Sequence, residues 1–230
     1  MPTIIDEEFG QITLRRSAKA SSVRIRVAPD GRLRASLPLY APVFLVKRLL
    51  KNSRAQLRAM LAEQHTSVFE HGMQIGKSHT LLVREVAGTE PVAKRHNLQI
   101  IVSLPADMSL AHPIATRVAR DVVIEALRIE AKSHLPKRLA YMAEKHNMPY
   151  EKVRFSHASG RWGSCSSNGT ISLNIALMKL PFELIDYVLI HELCHTKEMN
   201  HSKDFWDLVA TADPLYKIHR QALKSETPSI

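Results

Sequence analysis

The chain has 230 residues, 45% of them apolar and 23% charged, and a formal net charge of +10. That size and composition describe one large or two small folded domains and exclude a disordered chain. No apolar run approaches the roughly 18 residues of a membrane span, and two cysteines, Cys165 and Cys194, are too few for a disulfide framework.

The first residues, Met1-Pro-Thr-Ile-Ile-Asp-Glu-Glu, lack the basic-then-apolar plan of a signal peptide, so a cytoplasmic protein is expected. The positive excess lies in residues 1–150, which hold 23 Lys/Arg against 13 Asp/Glu; residues 151–230 hold nine of each. It is densest from Arg15 to Arg58, with twelve basic residues and one acid, Asp30.

In chain order, Val23–Val27 and Arg32–Leu37 alternate apolar and polar residues around the turn signal Pro29-Asp-Gly31, which predicts a hairpin. Arg24, Arg26, Arg32 and Arg34 then share one face. A helix is expected from about Val43 to Glu63. Its apolar stripe is Val46, Leu49, Leu50, Leu57 and Leu61, and Lys47, Lys51, Arg54 and Arg58 form a basic stripe. Thr80–Val86 and Leu98–Leu104 read as strands. From Pro113 to His146 the pattern is helical, with Pro136 marking a kink or a break.

Val153–His157 and Thr170–Asn174 read as short strands around the loop Ser159–Gly169. Pro181 opens a helix to about Lys197, and shorter helices start at His201 and about Pro214. These elements predict an α+β fold divided near residues 105–112. A basic, β-rich domain (1–108) with one amphipathic helix precedes a second domain (109–230).

The helix from Pro181 contains His191-Glu-Leu-Cys-His195. Histidines four apart share a helical face, so both imidazoles can reach one Zn²⁺ at about 2.0–2.1 Å. Glu192, offset by one residue, reaches the place of a metal-bound water, whose proton it can take. Ile185, Tyr187, Leu189, Ile190 and Leu193 make the helix apolar nearly all round, hence buried. Buried histidines and a buried glutamate are costly without partners, and a metal supplies them.

A catalytic zinc takes a third protein ligand. His201, in the first turn of a helix capped by Asn200, is one candidate, and Glu198 is its rival. Cys194 reads as a packing thiol, with a redox or ligand role as the alternative. The spacing H-E-x-x-H-x₅-H equals that of metzincins. However, Glu198 stands where they have a turn glycine, and no methionine follows Met199, so that assignment is rejected.

The stretch Arg161-Trp-Gly-Ser-Cys165, then Ile171-Ser-Leu-Asn174, Asp186–His195 and Asn200–Trp206 resembles the bacterial YgjP-like metallopeptidases, relatives of the SprT-like zinc proteases. The resemblance covers about residues 150–220 closely and the hairpin and Gly72–Val83 less specifically. It implies a minimal zincin-like metallopeptidase domain, built on an active-site helix plus a small sheet. It also implies a zinc site of His191, His195 and His201, with Glu192 catalytic and a protein or peptide as substrate. Arg161, Trp162 and Asn174 belong to the family's motif. Arg161, Tyr216, His219 and Arg220 are candidates for stabilising an oxyanion, and none is assigned.

The basic half suggests nucleic acid as a further partner, with a plain solvated surface as the alternative. A second function class follows: a nucleic-acid-binding protein with a structural zinc, or a protease recruited to nucleic acid. The sequence sets no oligomeric state.

Overall fold

Alternating side chains build the first sheet, and apolar helix stripes cover it. The computed structural model describes residues 2–18, 20–28, 33–64 (of 62–64 the backbone only) and 69–230. The fold is α+β, and the chain divides into two compact units, Met1–Val68 and Phe69–Ile230.

The first unit contains β1 (Thr3–Asp6), β2 (Gly10–Arg16), β3 (Arg24–Val27), β4 (Leu33–Leu37), α1 (Phe44–Asn52) and α2 (Arg54–Gln64). The sheet order is β1-β2-β4-β3. The expected hairpin is present, pairing Arg26 with Arg34 and Ile25 with Ala35; its turn, with Arg32, lies outside the described residues. Strand β2 joins parallel to β4, placing Arg15 opposite Ser36.

Ile12, Leu14, Leu33, Ala35 and Leu37 point inward and pack with Val46, Leu50 and Leu57 of the helices. Each fully buried aliphatic side chain contributes about 1.5–3 kcal/mol. The single helix expected over Val43–Glu63 is interrupted at Ser53, whose N–H reaches back to Leu49 and Leu50 carbonyls. Asn52 and Ser53 are weak helix formers whose side chains compete for backbone partners. The predicted basic stripe is also partly neutralised. Arg54 pairs with Asp6 at 3.3 Å and with Glu8, and Arg58 pairs with Glu8.

The second unit begins with β5 (Gln74–Ile75), β6 (His79–Glu85), β7 (Val92–His96) and β8 (Gln99–Leu104), in the order β5-β6-β8-β7, with β6 and β8 parallel. Helix α3 (Pro113–Lys145) runs unbroken for 33 residues, about 50 Å. Pro136 lies within it and neither ends nor divides it, because Ala131, Leu135 and Leu139 are held in the core on either side.

Leu81, Ile100, Val102 and Leu104 join Ala115, Ala119, Val123 and Leu127 in one core. The compact units divide between Val68 and Phe69, and residues 69–108 belong to the second. A buried polar clasp reinforces this packing. Glu130 accepts the N–H groups of Lys77 (2.6 Å) and Ser78 (2.9 Å) and meets His79 Nδ1 at 2.6 Å.

A third, three-stranded sheet carries β9 (Lys152–Ser156), β10 (Gly163–Cys165) and β11 (Thr170–Asn174) in the order β10-β11-β9. It leads through a 3-10 turn, Ile175–Lys179, into α4 (Phe182–Cys194), α5 (Lys203–Ala212) and α6 (Tyr216–Leu223). Among the described residues no helix is long and apolar enough to cross a membrane.

Candidate active site

Helix α4 is buried along most of its length, with Leu184, Ile185, Val188, Leu189, Ile190 and Leu193 in the core. That burial fixes the helix and aims the histidines at i and i+4 the same way. The chain leaves α4 at His195 and turns through Thr196–Asn200. Helix α5 is capped by Ser202, whose Oγ accepts the Phe205 N–H at 3.3 Å, in place of the expected Asn200. His201 therefore precedes the helix and does not belong to its first turn.

The ligand nitrogens of His191, His195 and His201 lie within 4.8 Å of one another, and the Nε2 atoms of His191 and His201 are 3.2 Å apart. Among the described residues this group has three members. The Glu198 carboxylate is not one of them, since it accepts from Asn200 Nδ2 at 3.1 Å. The Glu198 carbonyl instead accepts a hydrogen bond from His195 Nδ1–H at 3.0 Å, which leaves His195 Nε2 as a bare acceptor. Burial, followed by the neighbouring His195, His201 and Arg220, pushes His191 down to about 3; it is neutral at pH 7, as a metal ligand must be. Cys194 is buried against Met148 and takes no part, with its thiol pushed up to about 12 by burial.

Glu192 is 5% exposed, and its Oε2 is buried with no hydrogen-bond partner. Burial pushes its carboxyl up to about 8, with Arg161 opposing. The carboxylate lies flat against β10: a Cβ on Gly163 would sit 2.6 Å from Glu192 Oε1 and 2.7 Å from Cγ. Beside it a cavity of about 180 Å³ is lined by Trp162, Gly163, Tyr187, Val188, His191, Glu192 and Leu223. That is room for one side chain. An orphaned buried carboxylate oxygen sharing a cavity with His191, together with three imidazoles whose ligand atoms converge, fits a divalent cation with an open position.

Two positioning residues escape a reading of the sequence alone. Asn174, fully buried, donates to the carbonyls of Ala158 (2.6 Å) and Arg161 (2.9 Å) and accepts from Ala176 N at 3.0 Å. It thereby ties the Arg161 loop, and with it β10, to β11. Its membership of a motif marked it without giving that role. Phe205, also fully buried, lies under all three imidazoles, with centroids 4.4 Å from His195, 4.8 Å from His201 and 5.0 Å from His191. The apolar spacing of α5 could have placed Phe205 in the core but not beneath the ligands. Phe205→Ala opens a cavity that costs about 3–5 kcal/mol and loosens all three rings. A lower Tm and roughly tenfold weaker metal affinity are expected in competition with a chromogenic chelator.

Of the oxyanion candidates, Asp213 Oδ2 holds His219 Nδ1 at 2.7 Å, and His219 lies 6.3 Å from the Tyr187 ring. Arg220 covers Trp206 at 4.4 Å, and Tyr216 stacks on Trp206.

Helix α4 with two inward histidines, a third histidine just beyond it and Glu192 between the first two in sequence is an arrangement that could hold a metal ion. The match to known proteins agrees in kind. The chain matches the YgjP-like, metallopeptidase domain family over residues 21–226, and it belongs to that family. Its class is thus a peptidase that depends on a metal ion.

Two solved structures are similar over part of the chain. The metallopeptidase zymogen of Pyrococcus abyssi, abylysin, is 27% identical; the match covers 39% of this chain and 92% of that one, with a TM-score of 0.36. The metallopeptidase zymogen of Methanocaldococcus jannaschii, jannalysin, is 18% identical, covering 39% and 93% with a TM-score of 0.35. No curated protein matches the chain.

Proposed function

We propose that the protein is a zinc-dependent endopeptidase in which His191, His195 and His201 hold the metal and Glu192 is the general base. The observation that carries this reading is the orphaned, buried Glu192 Oε2 on the helix whose His191 and His195 gather with His201, their ligand atoms within 4.8 Å of one another. A zinc ion there would lower the pKa of a coordinated water toward ~7 and polarise the scissile carbonyl.

The protein's own part follows from geometry. Glu198 and Phe205 fix the imidazole planes. Glu192 takes a proton from the attacking water at Oε2 and returns it to the leaving amide nitrogen. Strand β10 is the edge of its sheet, so an extended peptide can add beside it, antiparallel or parallel, and be held on both sides of the scissile bond. That two-sided grip supports internal cleavage.

Stripping the metal with a chelator should abolish cleavage of an unfolded protein and lower Tm. One equivalent of zinc should restore both. A ligand held at 100 times its Kd stabilises by about 2.7 kcal/mol. Cleavage that survives complete stripping would refute the proposal.

A second reading, recruitment to nucleic acid, is favoured by the outer face of the first sheet. Arg26 stands directly opposite Arg34, with Arg24 and Arg15 on the same face, all exposed. Exposed cations gathered on one face supply the electrostatic attraction that dominates non-specific nucleic-acid affinity. Arg54 and Arg58, already paired with carboxylates, contribute less than the sequence suggests. Replacing Arg24 and Arg26 by Glu should weaken binding to duplex DNA and flatten its log–log salt dependence by about 1 per lost phosphate contact. An unchanged slope would dismiss this reading.

A further inference from the structure

We infer that the outward face of the β9–β11 sheet selects substrates carrying carboxylates beside the scissile bond, an inference that rests on the peptidase reading above. The pairing register sorts the two faces of this sheet. Val153, Phe155, Ile171 and Leu173 turn into the core or pack against it. Lys152 opposite Thr170, Arg154 opposite Ser172, and Ser164 opposite Ser172 turn outward. These five and Arg161 are among the residues that line an open groove of about 520 Å³.

The groove's lining includes three cations and no carboxylate. Lys152, Arg154 and Arg161 are exposed, and among the described residues none of them forms an ion pair. In a segment with as many acids as bases, this local imbalance is a feature of placement, not of composition.

Its position ties it to catalysis. Strand β10 separates the groove from Glu192: Gly163 lies against the carboxylate, while the next residue, Ser164, faces the groove. An extended chain added to β10 points alternate side chains to opposite faces. One set is directed toward Glu192 and the 180 Å³ cavity; the other emerges on the outward face, where Ser164 and Arg161 come first and Lys152 and Arg154, on β9 two strands further in, meet the stretch of substrate that continues across the groove. Lys152 and Arg154 repeat at i and i+2, about 6.6–6.8 Å along the strand. Carboxylates in an Asp/Glu-x-Asp/Glu segment repeat at the same period. Arg161 joins the two regions, lining the groove while also opposing the upward push on the Glu192 carboxyl. The groove's lining has no aromatic side chain on which a base could stack, so its chemistry suits an acidic polypeptide better than a single-stranded nucleic acid.

The test uses zinc-loaded full-length Glu192→Gln protein and three fluorescein-labelled peptides that differ only in bearing Glu-x-Glu, Gln-x-Gln or Lys-x-Lys. Fluorescence anisotropy should show the Glu peptide binding about tenfold tighter than the Gln peptide, as two or three exposed ion pairs predict. The margin should shrink in high salt. Adding Lys152→Glu and Arg154→Glu should invert the order, so that the Lys peptide binds best. This gain cannot come from misfolding.

Equal affinities for the Glu and Gln peptides, or an order unchanged by the charge reversal, would overturn the inference. So would displacement of the Glu peptide by an oligothymidylate at lower concentration than by unlabelled peptide. A wild type that shows the charge preference but cleaves nothing would refute the peptidase reading and leave the anion groove standing. Cleavage without any charge preference would do the reverse.

Discussion

Glu192→Gln should reduce cleavage of an unfolded protein by about three orders of magnitude while leaving bound zinc near one per chain. A positioned general base contributes typically 10²–10⁴-fold, and glutamine keeps the shape without accepting a proton. The three imidazoles are untouched; Phe205 packs against all three and the Glu198 carbonyl holds His195.

The same change should stabilise the metal-stripped protein. Burial raises the Glu192 carboxyl to about 8 from its usual 4.5. Between those values the folded chain holds a proton that the unfolded chain has released, so stability falls as pH rises through this window. Glutamine removes that dependence. The variant's Tm should match wild type near pH 4 and exceed it increasingly toward pH 8, by the equivalent of a few kcal/mol. Activity and stability thus move in opposite directions, which separates a catalytic carboxylate from a structural one. Retained cleavage would remove Glu192 from the chemistry, and a lower Tm at pH 8 would show that its carboxylate is a structural partner.

What the sequence conveyed depended on whether the signal was local. Histidines four apart on an apolar helix converge by helix geometry alone, so His191 and His195 were legible without any tertiary knowledge. His201 was legible as a neighbour, but its setting was not. Both Asn200 and Ser202 are good cap residues, and only packing of Phe205 beneath the rings decides between them. Glu198 looked like a rival ligand, yet it acts through a backbone carbonyl, which no side-chain pattern announces.

Strand β10 was invisible. Gly163-Ser-Cys165 has little β propensity and becomes a strand because β11 pairs with it and Asn174 ties down the preceding loop. The same holds for Val92–His96, a polar edge strand defined by its partner β8. The division into compact units depends on long-range pairing of the same kind. The parallel pairing of β6 with β8, and their burial against α3, are long-range facts, while the proline-rich stretch near 105–113 is a local one. The basic stripe Lys47, Lys51, Arg54 and Arg58 was read along one continuous helix, and the break at Ser53 divides it between α1 and α2. Its charge was overcounted, because Asp6 and Glu8 reach it from β1 and the turn that follows.

Gly163→Ala should lower cleavage about a hundredfold with only a modest fall in Tm. The new methyl would lie 2.6 Å from Glu192 Oε1, 2.7 Å from Cγ and 2.8 Å from Cδ, closer than real Cβ contacts come. Something must move, and the candidates are unequal. Helix α4 is locked by its buried face, and β10 is held by β11 and by Asn174. The Glu192 side chain is the softer element, and its Oε2 has no hydrogen bond to hold it. It therefore rotates away from the strand, and a displacement of about 1 Å at a reacting group costs on the order of 10²-fold.

The backbone of residue 163 has no need of glycine on conformational grounds, since its φ is not positive. The requirement comes from the carboxylate alone. Pairing Gly163→Ala with Glu192→Asp shortens the acid by one methylene and should relieve the clash. The double variant should then lose less than the two single losses combined. A double variant showing fully additive losses would mean that the methyl acts on β10 and not on the carboxylate.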